Sequence, residues 1–321
     1  MTRLDTVNAG ALCAALIASA FGAGPANGAN RVRLEQVAPR SSAIAEVRMP
    51  DGSRGVRDAS GTAAPLRAYR RIASASLIAD HVLWELCEPE RLVAISDRSK
   101  QSATFGYRHG GRAAINSPAE LELILALNPD LLFINHFGDP RYTARLRERG
   151  IVVFDLGEMQ GVTSLLASIE VIGELLGRPQ RGQALARTFA DRMRAVAADV
   201  PAARRPRGLY LSAYGKQLYG GALGTSYHDV LEAAGVIDVA AERYRGWPTF
   251  DAEQVLALDP DVLVTKQNMA GPLCAFPGLD QLRACRGRAR VVELDAELAD
   301  DPGLPMLEVA EQLRVAVHGP R

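Results

Sequence analysis

Two rhythms of apolar residues alternate along the chain. Short, mostly apolar stretches at 71–75, 91–95, 131–134, 151–154, 209–212, 262–265 and 291–294 read as strands, and the continuous runs among them suit burial on both faces. Between them, apolar residues recur at three- and four-residue spacing, which predicts amphipathic helices. Ser76 stands where it would cap a helix burying Leu77, Val82, Leu83 and Leu86 and ended by Pro89, with Cys87 inside it and buried. Further helices are predicted at 142–149, 227–234, 279–284 and 306–317. Strands alternating with helices throughout call for parallel sheets covered by helices on both faces, an α/β architecture.

One stretch is used twice. Residues 120–134 and 251–265 share seven of fifteen positions at a constant offset of 131, so one structural unit is expected in each half. Each copy reads as an apolar helix with a glutamate in an early turn (Glu122, Glu253), a proline stop (Pro129, Pro260), an aspartate and a buried strand. In both copies the helix is too apolar for a surface stripe. The first copy is preceded by Ser117-Pro118-Ala119-Glu120, which has the form of a capping box. Between the copies the pattern is helical for nearly forty residues: Leu165, Ile169, Ile172 and Leu176 share one face, Gly177 supplies an end, and Pro179 opens a second helix. That second helix, over about 179–198, buries Leu185, Phe189, Met193 and Val196 and is the expected connector. The expected division is therefore a leader at 1–29, an α/β lobe at 30–160, a helical segment at 161–200 and a second α/β lobe at 201–321.

Composition narrows the classes. Lys+Arg and Asp+Glu are both 37, which gives no basic excess for nucleic acid. Arg3 ahead of the apolar run 9–21 reads as an export signal too short to span a bilayer, so a soluble, secreted mature protein is expected. A weak strand at 45–49 before Pro50-Asp51-Gly52 suggests a peripheral hairpin. Of the cysteines left after the leader, Cys274 and Cys285 are the expected bridge, and no Cys-x-x-Cys is present.

Taken together, the opening strand and serine (71–76), the two Glu-x5-(Asn/Asp)-Pro-Asp units, Leu175-Leu176-Gly177-Arg178-Pro179 and the stretch Gly224 to Gly235 resemble a family. It is the solute-binding receptors of ABC importers, with two Rossmann-like lobes bridged by one long helix and a ligand cleft between them. It includes cobalamin, iron-siderophore and haem receptors. The resemblance runs from about Tyr69 to the C-terminus. It implies a periplasmic, monomeric binding protein that delivers a small-molecule metal chelate to a dimeric membrane permease, with Glu122 and Glu253 docking on permease arginines.

In open α/β sheets ligands bind beyond the carboxyl ends of the strands. That rule, with the loop aromatics, nominates Ser76, Arg98, Tyr107, His136, Phe137, Tyr214, Tyr219, Trp247 and Lys266 as ligand-binding residues. Broad aromatic faces suit a planar ligand, and the cations suit its carboxylates. Haem fits because tyrosine and histidine are both axial ligands. A zinc- or manganese-binding receptor using His109, His136 and His228 is the alternative, weakened by the absence of close ligand spacing. No resident cofactor is expected. No dinucleotide, P-loop, nucleophile-elbow or zincin motif occurs, so catalysis is not expected.

Overall fold

The computed structural model describes residues 46–136 and 139–320, with the side chain of His109 left aside. The expected leader, His109 as a ligand and Phe137 fall outside what is described. The chain divides into two compact units. An N-terminal unit holds 46–194 and 300–307, and a C-terminal unit holds 195–299 and 308–320. Among the described residues the chain therefore passes between the units three times rather than through one connector.

The N-terminal unit begins with an antiparallel ribbon of β1 (Glu46–Arg48), β2 (Arg54–Arg57) and β3 (Ala63–Pro65). A five-stranded, wholly parallel sheet follows. Its strands are β4 (Ile72–Ser74), β5 (Leu92–Ser96), β6 (Ala113–Ile115), β7 (Leu131–Ile134) and β8 (Val152–Asp155), in the order β6-β5-β4-β7-β8. The order reverses between β4 and β7, the switch point at which doubly wound sheets open beyond their strand ends.

Helix α1 (Leu77–Leu86) is capped by Ser76, whose side chain accepts from the Ala79 N–H. It ends before Cys87, which is the C-cap and only half-buried, not a buried helical residue. Helix α2 (Asp97–Gln101) follows β5. Helix α3 (Leu121–Leu127) is the first copy of the repeat and departs from expectation twice. Glu120 is its N-cap and makes no side-chain cap bond; its carboxylate accepts from Asn116 N–H at 3.3 Å, while the Ser117 hydroxyl accepts from Ala119 N–H, so no capping box forms. The helix is also a surface one, with Ile124 buried but Leu123 and Leu125 exposed at 37% and 38%. Two turns can bury one stripe, and an apolar sequence does not change that geometry.

Helix α4 (Pro140–Glu148) precedes β8. Helices α5 (Val162–Leu175) and α6 (Pro179–Ala195) form an antiparallel hairpin around Gly177, which takes φ +73°. The two helices meet at Gly173 and Gly182, where a Cβ on the first would lie 2.9 Å from the Cα of the second. Leu165, Ile169, Ile172 and Leu176 are all buried as the spacing predicts. Helix α6 stops at Ala195 and is about 25 Å long, shorter than the stretch 179–198 predicted.

The C-terminal unit contains β9 (Arg207–Tyr214), β10 (Gln217–Gly220), helix α7 (Ser226–Ala233), β11 (Ile237–Asp238), β12 (Thr249–Phe250), helix α8 (Ala252–Leu258), β13 (Val262–Lys266), helix α9 (Ala270–Cys274), β14 (Arg290–Leu294), helix α10 (Ala296–Ala299) and helix α11 (Met306–His318). Its sheet runs β12-β10-β9-β13-β14, with β11 also on β9. Strands β11, β9, β13 and β14 are parallel, while β10 is antiparallel to both its neighbours, β9 and β12. Strands β9 and β10 thus form a hairpin. Its two-residue turn is Gly215-Lys216, and Gly215 takes φ +57°, the position where tight hairpin turns need glycine. Helix α9 follows β13, and the helix expected at 279–284 is one 3-10 turn, Leu279–Gln281. A disulfide joins Cys274 at the end of α9 to Cys285.

The duplicated unit keeps its offset in three dimensions. Helices α3 and α8 both end in a left-handed residue, Asn128 (φ 46°) and Asp259 (φ 38°), before the proline. Strands β7 and β13 take the same place, between the first strand of the unit's parallel sheet (β4, β9) and an edge strand (β8, β14). In the second copy a capping box does form, between Asp251 and Gln254.

Candidate functional site

In the N-terminal unit, Ser76, Arg98 and His136 all follow the carboxyl ends of parallel strands, around the β4/β7 switch point. Ser76 is buried and donates its hydroxyl to Asn135 Oδ1. Asn135 in turn donates to the Gly157 carbonyl at 3.1 Å. Arg98, half-exposed, reaches the Asp300 carbonyl at 3.3 Å.

Of these three, His136 is the one the fold presents most openly. Its side chain is 60% exposed, while Nδ1 lies 2.9 Å from Asp155 Oδ2, a carboxylate only 6% exposed. The hydrogen bond to Asp155, then its charge, raise the imidazole above its ordinary pKa. Asp155 is itself held, its Oδ1 accepting the Gly157 N–H at 2.8 Å. A ring whose Nδ1 is tied to a buried carboxylate has its tautomer and orientation set, and keeps Nε2 as the nitrogen for a metal.

Beneath this edge lies a buried polar cluster that sequence reasoning did not find. Asp80 of α1 accepts from the Ser96 N–H at 3.0 Å and from the hydroxyls of Ser96 and Ser99. Burial pushes its carboxyl up to about 6 against the lowering effect of those bonds. Next to it on α1, His81 Nε2 lies 2.6 Å from Asp301 Oδ2, both 5% exposed.

Tyr107 stands apart from these residues. It is 77% exposed, and its neighbour Arg108 lies over the rings of Trp84, Phe105 and Tyr107 itself. Trp84 sits in the last turn of α1, whereas Ser76 at the strand ends caps its first.

In the C-terminal unit, Tyr214 ends β9 and Lys266 ends the adjacent β13. Residues alternate faces along a strand, and those paired across an antiparallel ladder share one. Tyr210, Ser212 and Tyr214 thus lie on one face of β9, joined by Tyr219, which pairs with Ser212. Tyr227 of α7 stacks on Tyr210 with ring centroids 3.5 Å apart, and Trp247 meets Tyr227 edge-on at 5.3 Å. Of the nominated aromatics, Tyr214 and Tyr219 therefore share the sheet face of Tyr210, and Trp247 meets the ring stacked on it. The opposite face of the sheet, with Leu209, Leu211 and Leu218, is the core. Tyr210 was hidden in the sequence because it sits inside an apolar strand run.

His228 is buried, with Nδ1 2.8 Å from Asp238 Oδ2, and it supports α7 rather than facing outward. Among the described residues no group of three or more His, Cys, Asp or Glu is arranged to hold a metal ion. Glu122 and Glu253 are both exposed second residues of their helices. No helix among the described residues is long and apolar enough to cross a membrane.

The chain belongs to the periplasmic binding protein family, whose description matches residues 107–298, more than half its length. That family binds solutes and is not one of enzymes. The chain is 28% identical over 213 residues to a cobalamin-binding protein of Halobacterium salinarum, a match covering 65% of this chain and 57% of that one. It is 25% identical over 199 residues to the vitamin B12-binding protein of Vibrio cholerae, covering 62% and 71%. Among solved structures, the periplasmic heme-binding protein RhuT from Roseiflexus sp. RS-1 aligns with a TM-score of 0.64 at 23% identity, over 78% of this chain and 98% of that one.

Proposed function

We propose that the protein is the receptor of an ABC importer, that it captures a metal macrocycle of the haem or corrinoid type, and that it delivers the cargo to a membrane permease. The observation that carries the choice of ligand is the His136–Asp155 pair: an exposed imidazole at a switch point, held at Nδ1 by a buried carboxylate. Such a pair suits axial ligation of a metal that arrives inside its own chelate. A bare ion needs three or four protein ligands together. The aromatic face built on Tyr210, Tyr214, Tyr219, Tyr227 and Trp247 suits the flat surface of a macrocycle. Arg98 and Lys266 suit its carboxylates or amides. The cobalamin- and heme-binding relatives support the same class. Glu122 and Glu253, repeated at one offset on surface helices, suit a two-fold-like permease partner.

The test is a titration of ligand-free protein with hemin, hydroxocobalamin, a ferric siderophore and Zn²⁺, followed by absorbance and calorimetry. One-to-one binding of hemin or hydroxocobalamin is the expected result. Binding of Zn²⁺ or the siderophore alone would overturn the choice of ligand while leaving the receptor reading in place.

A further inference from the structure

The ribbon β1–β3 packs against the outer strand of the parallel sheet where that strand ends in Asp155. Asp58, at the turn after β2, is buried and accepts from the Thr62 N–H at 2.8 Å, the Ser60 hydroxyl at 2.7 Å and Arg147 Nη2 at 2.9 Å. The same carboxylate accepts the Asp155 N–H at 3.3 Å, and the Ala59 N–H donates to the Asp155 carbonyl at 3.0 Å. Both main-chain polar groups of Asp155 on the open edge of β8 are thus taken by the ribbon. A third contact presses the two together. Gly157, at φ +81°, has no room for a side chain, since a Cβ there would lie 2.9 Å from the Ala59 methyl. Gly157 also bonds Asp155 Oδ1 through its N–H and receives Asn135 through its carbonyl.

We infer that this ribbon is a brace for the ligand-binding imidazole, and that Asp58 is a positioning residue which acts on His136 through Asp155. Half-exposed side chains lose orientation readily, and a ring held by one hydrogen bond is only as fixed as the carboxylate that holds it. Here the carboxylate is fixed because its main chain is held on one side by β7 and on the other by the ribbon. Arg147 completes the arrangement. It neutralises Asp58 and donates to the Val153 carbonyl at 3.1 Å, so ribbon, helix α4 and strand β8 share one cation. The inference rests on the reading of His136 as a ligand residue, but the arrangement itself does not depend on what is bound.

The experiment uses the full chain without ligand and records the ¹⁵N imidazole spectrum of His136 at pH 8. The native protein shows the Nδ1–H tautomer. Asp58→Asn shifts the population toward Nε2–H and raises the dissociation rate of hemin or hydroxocobalamin by about tenfold, the lower end of what outer partners contribute at metal sites. Asp51→Asn, in the β1–β2 turn of the same ribbon, changes neither. If Asp58→Asn fails to fold, Arg147→Gln gives the same readout. An unchanged tautomer and an unchanged dissociation rate in these variants overturn the brace, even where His136→Ala abolishes binding. A changed tautomer with ligand affinity unaltered in both Asp58→Asn and His136→Ala supports the brace and removes the macrocycle reading instead.

Discussion

Asp130 and Arg71 exchange main-chain and side-chain hydrogen bonds at the entrance to the N-terminal sheet. The Arg71 N–H donates to Asp130 Oδ1 at 2.9 Å, and the Asp130 N–H donates to the Arg71 carbonyl at 2.8 Å. The Arg71 guanidinium then donates to the Leu127 and Asn128 carbonyls at the end of α3, where a cation opposes the helix dipole. Asp261 and Arg207 repeat the arrangement in the C-terminal unit, at 3.1 Å and 2.8 Å, with Arg207 reaching the Leu258 carbonyl. The shared aspartate of the repeat is therefore a fastener between the helix–strand unit and the first strand of its sheet.

Replacing Asp130 by alanine strands the Arg70 and Arg71 N–H groups, both of which it accepts. Denaturant unfolding should show a loss of about 2 kcal/mol. Asp261→Ala strands one main-chain donor, the Arg207 N–H, and removes one of the exposed carboxylates that Arg283 reaches, so it should lose less.

The buried Asp80 makes a signed prediction about pH. Its carboxyl is raised from 3.8 to about 6 in the folded protein, so the folded state holds a proton that the unfolded state has released. Stability from this group is present below pH 4 and is lost as pH rises through 6, by about 3 kcal/mol in all. Unfolding curves at pH 4 to 7 should show that fall, and Asp80→Asn should abolish this component. A wild-type and variant pair with parallel pH profiles would contradict it.

His81 and Asp301 act in the same direction over a higher pH range. Burial, the largest influence, lowers the imidazole pKa, but the charge and hydrogen bond of Asp301 outweigh it, and the net shift is upward from 6.5. The stabilisation is complete below 6.5 and fades as pH rises through the raised value. Asp301→Asn should therefore cost most near pH 6, about 3 kcal/mol, and less at pH 9. Proteolysis within 300–307, the segment that Asp301 ties to α1, should speed up in parallel.

Much of this was legible in the sequence because it is local. A helix, a proline stop and a buried strand are written in consecutive residues, so the repeat, the capping serine at 76 and the helix end at Gly177 were readable. What was not readable depends on partners distant in sequence. Asp155 looks like the end of a strand until β7 and β8 pair and set it beside His136. Tyr107 was nominated by its type and its loop, yet Arg108 associates that loop with the far end of α1. The β9–β10 hairpin carries no Asn-Gly or Asp-Gly, and Leu123 and Leu125 are apolar residues on a face that the folded unit leaves uncovered.

That uncovered face bears on Glu122 and Glu253. An exposed ion pair contributes about 0.2–1 kcal/mol, so single substitutions should reduce uptake only modestly. Reversing both, Glu122→Lys with Glu253→Lys, should abolish uptake in cells carrying the cognate permease while ligand affinity stays unchanged. A loss of affinity in the purified double variant would contradict the docking role.

The account depends most on His136, and the visible spectrum of the complex tests it most directly. Wild-type protein titrated with hemin or hydroxocobalamin should show the shifted absorbance of a metal that has gained an imidazole ligand. His136→Ala should lose that shift and bind at least tenfold more weakly, the scale of effect that even outer partners have at metal sites. An identical spectrum and affinity in His136→Ala, or no shift with either macrocycle in the wild type, would contradict the account.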